Sequence, residues 1–136
     1  MAGKVESVVG VDFSAWMLRK AKLKLEKKTN VDLVCADFDY LPFLEGWFTH
    51  IFMFTVLPGH TDWGYTISEA LRVLRRHGIM TLSVPKKETS SKKVLRKLST
   101  NRLEPRELVD DDKTPDYIVI SKEARKTIRK REATSP

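Results

Sequence analysis

Hydrophobic and polar positions along the chain change period several times, and each change marks an element. Val5 to Val11 is β-branched, ends at Asp12 and reads as a buried strand. Ser14 stands where a helix N-cap belongs, and Met17, Leu18, Ala21 and Leu25 fall on one face of the helix that follows. Thr29-Asn30 closes that helix, and Val31 to Cys35 is a second strand with Asp37 just beyond it. The stretch from Leu41 to Gly46 reads as a loop, because Pro42 disfavours helix in the residue before it. His50 to Leu57 is a third strand, apolar enough to expect burial on both faces, and Pro58-Gly59 breaks it. A helix from about Asp62 to Arg76 carries Ile67, Ala70, Leu71 and Leu74 on one stripe, with Gly78 as its stop. Ile79 to Val84 is a fourth strand, ended by Pro85. A basic helix with Val94, Leu95 and Leu98 follows, with Pro105 beyond its end. Leu108-Val109 is a weak strand signal, Asp110 to Pro115 a turn, and Tyr117 to Ile120 a last strand. Strand and helix alternate through most of the chain, which predicts an α/β fold with a mainly parallel sheet and helices on both faces.

Composition narrows the class. The 136 residues, 41% hydrophobic and 32% charged, suit one soluble domain with a real core. No apolar run is long enough to cross a bilayer, and residues 1–6 resemble neither a signal peptide nor a transit peptide. Cys35 is the single cysteine, which excludes an internal disulfide and a cysteine cluster for zinc, so a reducing cytoplasm is the expected compartment. The net charge of +7 is uneven: six basic residues between Arg19 and Lys28, eight between Lys86 and Arg106, and six in a tail spanning 122–136. Such blocks could attract RNA or another polyanion, and the plainer reading is solvated helix faces plus a soluble tail. No aromatic residue is interleaved with them, so stacking on single-stranded bases gains no support.

The candidate chemistry lies at strand ends. Asp12 and Asp37 each follow a strand, and ligands of open α/β sheets bind outside the carboxyl ends of the strands. A carboxylate there can accept from both hydroxyls of a ribose or from an exocyclic amine, with Phe13 or Phe38 flanking an adenine. It can equally be a polar residue where a strand meets water. His60 follows the break after the third strand, Trp47 and Trp63 flank that strand, and either substrate contact or ordinary loop and packing roles fit them. Cys35, inside a strand, is expected as an inert small core residue.

Three segments carry a more specific resemblance. Val9-Gly10-Val11-Asp12-Phe13-Ser14-Ala15-Trp16-Met17-Leu18 resembles the second motif of class I S-adenosylmethionine-dependent methyltransferases, most of all the branch that includes the ubiquinone and menaquinone biosynthesis enzymes. Ala36-Asp37-Phe38-Asp39-Tyr40-Leu41-Pro42-Phe43 resembles that branch's next motif, an Ala-Asp followed by Leu-Pro-Phe. Glu69 to Gly78 resembles its helix-and-turn motif, written Arg-Val-Leu-Lys-Pro-Gly-Gly. The resemblance implies an incomplete Rossmann-like methyltransferase sheet in 1–121, with an antiparallel C-terminal hairpin and a basic tail in 122–136.

It implies S-adenosyl-L-methionine as cofactor, with Asp12 on the ribose hydroxyls and Asp37 on the adenine amine. The Phe38 amide faces a ring nitrogen, Phe13 and Met17 pack near the adenine, and Phe54 and Thr55 lie under the methionine portion. No residue is assigned a catalytic acid–base role and no metal is implied, because methyl transfer in this family is mostly positioning. The acceptor is not specified.

The departures concern the cofactor directly. The family's first motif, a strand ending in Asp-x-Gly-x-Gly-x-Gly, is absent, and none of the six glycines here lies two positions from another. The Pro-Gly turn is replaced by His77-Gly78, and Phe48-Thr49-His50 stands where many members have Phe-Asp. The family's strand order is 3-2-1-4-5-7-6, so the absent strand belongs in the middle and its two neighbours are expected to carry open edges. A truncated enzyme is the simplest expectation, weak or inactive as an isolated chain. The alternatives are a non-catalytic methyltransferase-like subunit that pairs with another chain or a second copy through the open edge, or that uses its basic faces on RNA. A nucleotide-binding oxidoreductase fragment fits an acid after a strand but not the Leu-Pro-Phe segment. No membrane partner is expected.

Overall fold

The computed structural model describes residues 5–54 and 63–123. They fall into two compact units, 1–43 and 44–136.

The first unit is a βαβ module. Strand β1 (Val8–Asp12) leads into helix α1 (Ala15–Lys24), and strand β2 (Val31–Cys35) pairs parallel with β1, Val8 opposite Val31 and Asp12 opposite Cys35. A Cβ at Gly10 would lie 2.8 Å from Leu33 Cδ2, the movable end of a side chain on the paired strand. Ser14 caps α1 as expected, its Oγ accepting the Met17 N–H at 3.3 Å, while Lys22 and Lys24 place positive charge in the last turn. The helix buries none of its residues fully. Leu18, Ala21 and Leu25 are half-buried and Met17 is exposed.

The second unit holds the core. Strand β3 (Phe48–Phe54), helix α2 (Gly64–Val73), strand β4 (Leu74–Pro85), helix α3 (Ser91–Thr100), strand β5 (Leu103–Val109) and strand β6 (Asp116–Glu123) follow in order. The sheet runs β3-β4-β6-β5, with β3 and β4 parallel and the other two ladders antiparallel. Each unit by itself keeps its own part of the expected order, 3-2 in β2-β1 and 4-5-7-6 in β3-β4-β6-β5. Among the described residues β1 pairs only with β2, and β3 only with β4. One face of the sheet, carrying Met53, Met80, Leu82, Val84 and Val119, packs with Trp63, Ile67 and Ala70 of the α2 segment and Val94 and Leu98 of α3. The Lys86 ammonium ties the β5–β6 turn to the end of β4. It pairs with Asp110 at 2.7 Å and donates to the Asp111 carbonyl, and the hydrogen bond to Asp110 holds it above the ordinary lysine range.

Several expectations change. The third strand is buried on one face only: Met53 faces the core, while His50, Phe52 and Phe54 are exposed. Helix α2 ends at Val73, because Leu74 is already extended (ψ 130°) and pairs with Phe48. The segment after it is a bulge rather than a helical last turn, since Phe48 pairs with Leu74 and His50 with Ile79. Gly78 is needed there, because its Cβ would come 2.5 Å from Leu74 Cδ1 and 2.8 Å from the Arg75 carbonyl. Pro105 lies inside β5, at an irregularity on the edge of the sheet, where a missing N–H is tolerated. Cys35 is exposed, its thiol donating to the Phe13 carbonyl at 3.4 Å. No helix among the described residues is long and apolar enough to cross a membrane.

Candidate functional site

Parallel pairing of β1 and β2 puts two acids on one rim. Asp12 ends β1 opposite Cys35, and the Ala36 N–H donates to the Asp12 carbonyl at 3.1 Å, which carries the pairing one residue past the strands. The Asp12 side chain is half-buried, and its Oδ1 accepts the Ser14 N–H at 2.9 Å. Asp37 repeats the device two residues past β2: its Oδ1 accepts the Asp39 N–H at 2.9 Å, and its carbonyl accepts the Tyr40 N–H at 3.0 Å. Each carboxylate is thus oriented by a backbone amide through one oxygen, and the second oxygen has no hydrogen-bond partner among the described residues. Local Asx turns set this geometry, as the short polar side chain allows.

Two phenyl rings meet on the same rim. Phe13 and Phe38 contact edge to face, with centroids 6.4 Å apart and planes at 84°. Phe13 is 73% exposed, an unusual amount of apolar surface for a residue held by a strand-to-helix turn. Met17, one turn into α1, is also exposed. Asp12, Phe13, Asp37 and Phe38 thus lie at the ends of the paired strands β1 and β2, with Met17 on the adjoining helix. Phe54 lies in the second unit at the end of β3, exposed and stacked on Phe52 at 5.9 Å. Thr55 lies outside the described residues, as does His60. Trp63 is a core residue, 1% exposed, with the Lys97 ammonium 4.8 Å from its ring centroid, whereas Trp47 is exposed.

The methyltransferase-domain family matches residues 1–82, more than half of the chain. The chain belongs to that family. Solved methyltransferases have the same fold. A S-adenosylmethionine-dependent methyltransferase from Aquifex aeolicus superposes with a TM-score of 0.74 at 18% identity, covering 87% of this chain and 69% of its own. Geranyl diphosphate methyltransferase, solved in complex with S-adenosylmethionine, gives a TM-score of 0.70 at 17% identity, covering 88% and 69%. The [4+2]-cyclase SpnF gives 0.77 at 15% identity, covering 87% of this chain and 66% of that one, so this methyltransferase domain spans just under two thirds of the cyclase's length. No curated protein matches the sequence.

The fold also assembles a second group of polar residues that sequence reading does not anticipate. Arg72 of α2 is clamped by Glu69 through Nε at 2.8 Å and Nη2 at 2.7 Å, and this hydrogen bonding raises the guanidinium pKa further. Arg76 and Arg102 line the same cavity as this pair, although 26 positions separate them in sequence. The one sequence signal was the density of arginines in 72–76, which reads equally well as a helix end.

Proposed function

We propose that this methyltransferase domain holds the adenosine end of S-adenosyl-L-methionine on the rim formed by Asp12, Phe13, Asp37 and Phe38, and serves methyl transfer to an acceptor. The observation that carries the reading is the pair of amide-oriented carboxylates at neighbouring parallel strand ends, each with one oxygen to spare, beside the exposed ring of Phe13 and the half-buried ring of Phe38. A ribose needs a two-point acceptor, and an adenine needs an acceptor for its amine and an apolar edge. The residues present fit those needs. They do not supply the methionine end, which calls for close backbone approach through glycines that this sequence lacks. When bound, the cofactor's sulfonium supplies an activated methyl group. The chain's own residues position, with Asp12 and Asp37 fixing the adenosine by hydrogen bonds and Phe13 and Met17 excluding water from its base. Phe54 and Thr55 are assigned to the methionine portion. The motif wording favours the branch that includes the ubiquinone and menaquinone biosynthesis enzymes. Any partner strand, from another protein or a second copy, is proposed to pair at the open edge of β1 or β3, and the basic faces are left to RNA only as a subsidiary proposal.

Equilibrium binding of S-adenosylhomocysteine to the purified chain tests the reading. Asp12→Asn keeps an acceptor for the Ser14 amide and is expected to weaken binding about tenfold to a hundredfold, as is Asp37→Asn, the usual range for losing a hydrogen bond to a charged group. Ser14→Ala perturbs only the helix cap and is expected to leave affinity within about twofold. An affinity indifferent to both aspartates sinks the assignment, and absence of binding at millimolar ligand sinks the claim that this chain by itself holds the adenosine end.

A further inference from the structure

The second unit contains a cavity of ≈ 510 Å³ bordered by α2, the start of β4 and the turn between α3 and β5. Within its unit it lies at the end of the sheet away from Phe54: Leu74, in its wall, pairs with Phe48 at the start of β3, whereas Phe54 at the other end pairs with Ser83. The volume is in the range of small-molecule sites.

Its charges are unevenly satisfied. Arg72 is neutralised by Glu69, and Glu45 stands on the same wall. Arg76 and Arg102 have no ion-pair partner among the described residues, and both are exposed. The Ser68 hydroxyl, also in the wall, has no hydrogen-bond partner among the described residues either. Arg102 adopts φ +69°, the left-handed conformation that follows a helix end and that glycine or asparagine normally fills. A β-carbon is unfavourable there, so the fold tolerates strain at the position that carries the second unpaired guanidinium. The identity of that side chain is thus not explained by the turn.

We propose that this cavity binds a small phosphate-bearing ligand, with the guanidinium groups of Arg76 and Arg102 on the phosphate oxygens and the Ser68 hydroxyl as a further donor. Two unpaired guanidinium groups match the charge of a phosphate monoester, about −1.5 to −2 at neutral pH, and the planar fork suits its oxygens. Glu45 and Glu69, which also line the cavity, oppose an extended polyanion, so the ligand is a small molecule and not a nucleic-acid backbone.

Titration of the full chain with inorganic phosphate and with phenyl phosphate, at constant ionic strength and followed by amide chemical shifts, tests this. Saturable shifts are expected at 68–76 and 100–103, and phenyl phosphate is expected to bind more tightly than phosphate. Arg76→Gln is expected to weaken binding about tenfold. Arg102→Gly is expected to weaken it by a similar factor while raising the urea midpoint of unfolding, because glycine relieves the left-handed strain. That opposite movement separates lost binding from lost folding. Shifts that spread along the basic face of α3, affinities unchanged in both variants, or a single-stranded oligonucleotide that outcompetes phenyl phosphate would each overturn the proposal.

Discussion

At the scale of single residues, two positions are at odds with their surroundings and predict gains in stability. His77 takes φ +64° in the β4 bulge, a conformation that costs an L-residue roughly 1–2 kcal/mol. His77→Gly is expected to raise stability by about 1 kcal/mol in urea unfolding, and a β-branched residue there to lower it. Ser121 is fully buried on the core face of β6, and its hydroxyl has no hydrogen-bond partner among the described residues. An unsatisfied buried hydroxyl costs about 1–3 kcal/mol, so Ser121→Ala is expected to move the urea midpoint upward. A fall in either midpoint would refute the corresponding account. Asp12, Ser14 and Asp37 were readable from the sequence because each acts through amides two or three residues away. The strain at His77 was not, since only the register of β4 against β3 forces it.

At the scale of elements, local pattern sufficed where the core confirms it and misled where pairing overrides it. Strands β1, β2 and β4 showed in their β-branched runs, and α3 in the spacing of Val94 and Leu98, both fully buried. The end of α2 was hidden because Leu74 continues the apolar helical stripe, yet its pairing with Phe48 draws it into β4. Strand β5 was nearly invisible: Leu-Glu-Pro-Arg-Glu-Leu-Val mixes charge and proline in the manner of an edge strand, and its partner β6 comes later in the chain. The double burial expected of β3 failed because only Ile51 and Met53 face the helices. Element energetics follow the same division. Leu82 sits in β4 between Met53 and Val119 with no exposed surface. Leu82→Ala is expected to cost about 2–5 kcal/mol. Leu23 of α1 is 72% exposed, and Leu23→Ala is expected to stay within about 0.5 kcal/mol. A comparable loss at the two sites, measured by thermal or urea unfolding, would contradict this picture of where the core lies.

At the scale of the whole molecule, burial is divided as sharply as the sequence of units. Among the described residues, every buried hydrophobic residue, from Met53 to Val119, belongs to the second unit, and none to residues 5–43. The first unit rests on one parallel strand pair and a helix that fully buries nothing, yet it carries both aspartates of the proposed cofactor rim. Opening free energy follows local burial, so amides of β1, β2 and α1 are expected to exchange with solvent much faster than those of β4 and β6. A ligand that binds only the folded rim stabilises it by about 2.7 kcal/mol at a hundredfold excess over its dissociation constant. S-adenosylhomocysteine is therefore expected to slow exchange selectively, in residues 8–40, and to leave the β4–β6 ladder unchanged. Hydrogen exchange resolved by residue reads both effects at once. Equal protection of the two units without ligand would refute the burial argument. Slowing in the second unit alone would move the cofactor away from Asp12 and Asp37, and with it the basis for treating the first unit as the adenosine-binding part of this methyltransferase domain.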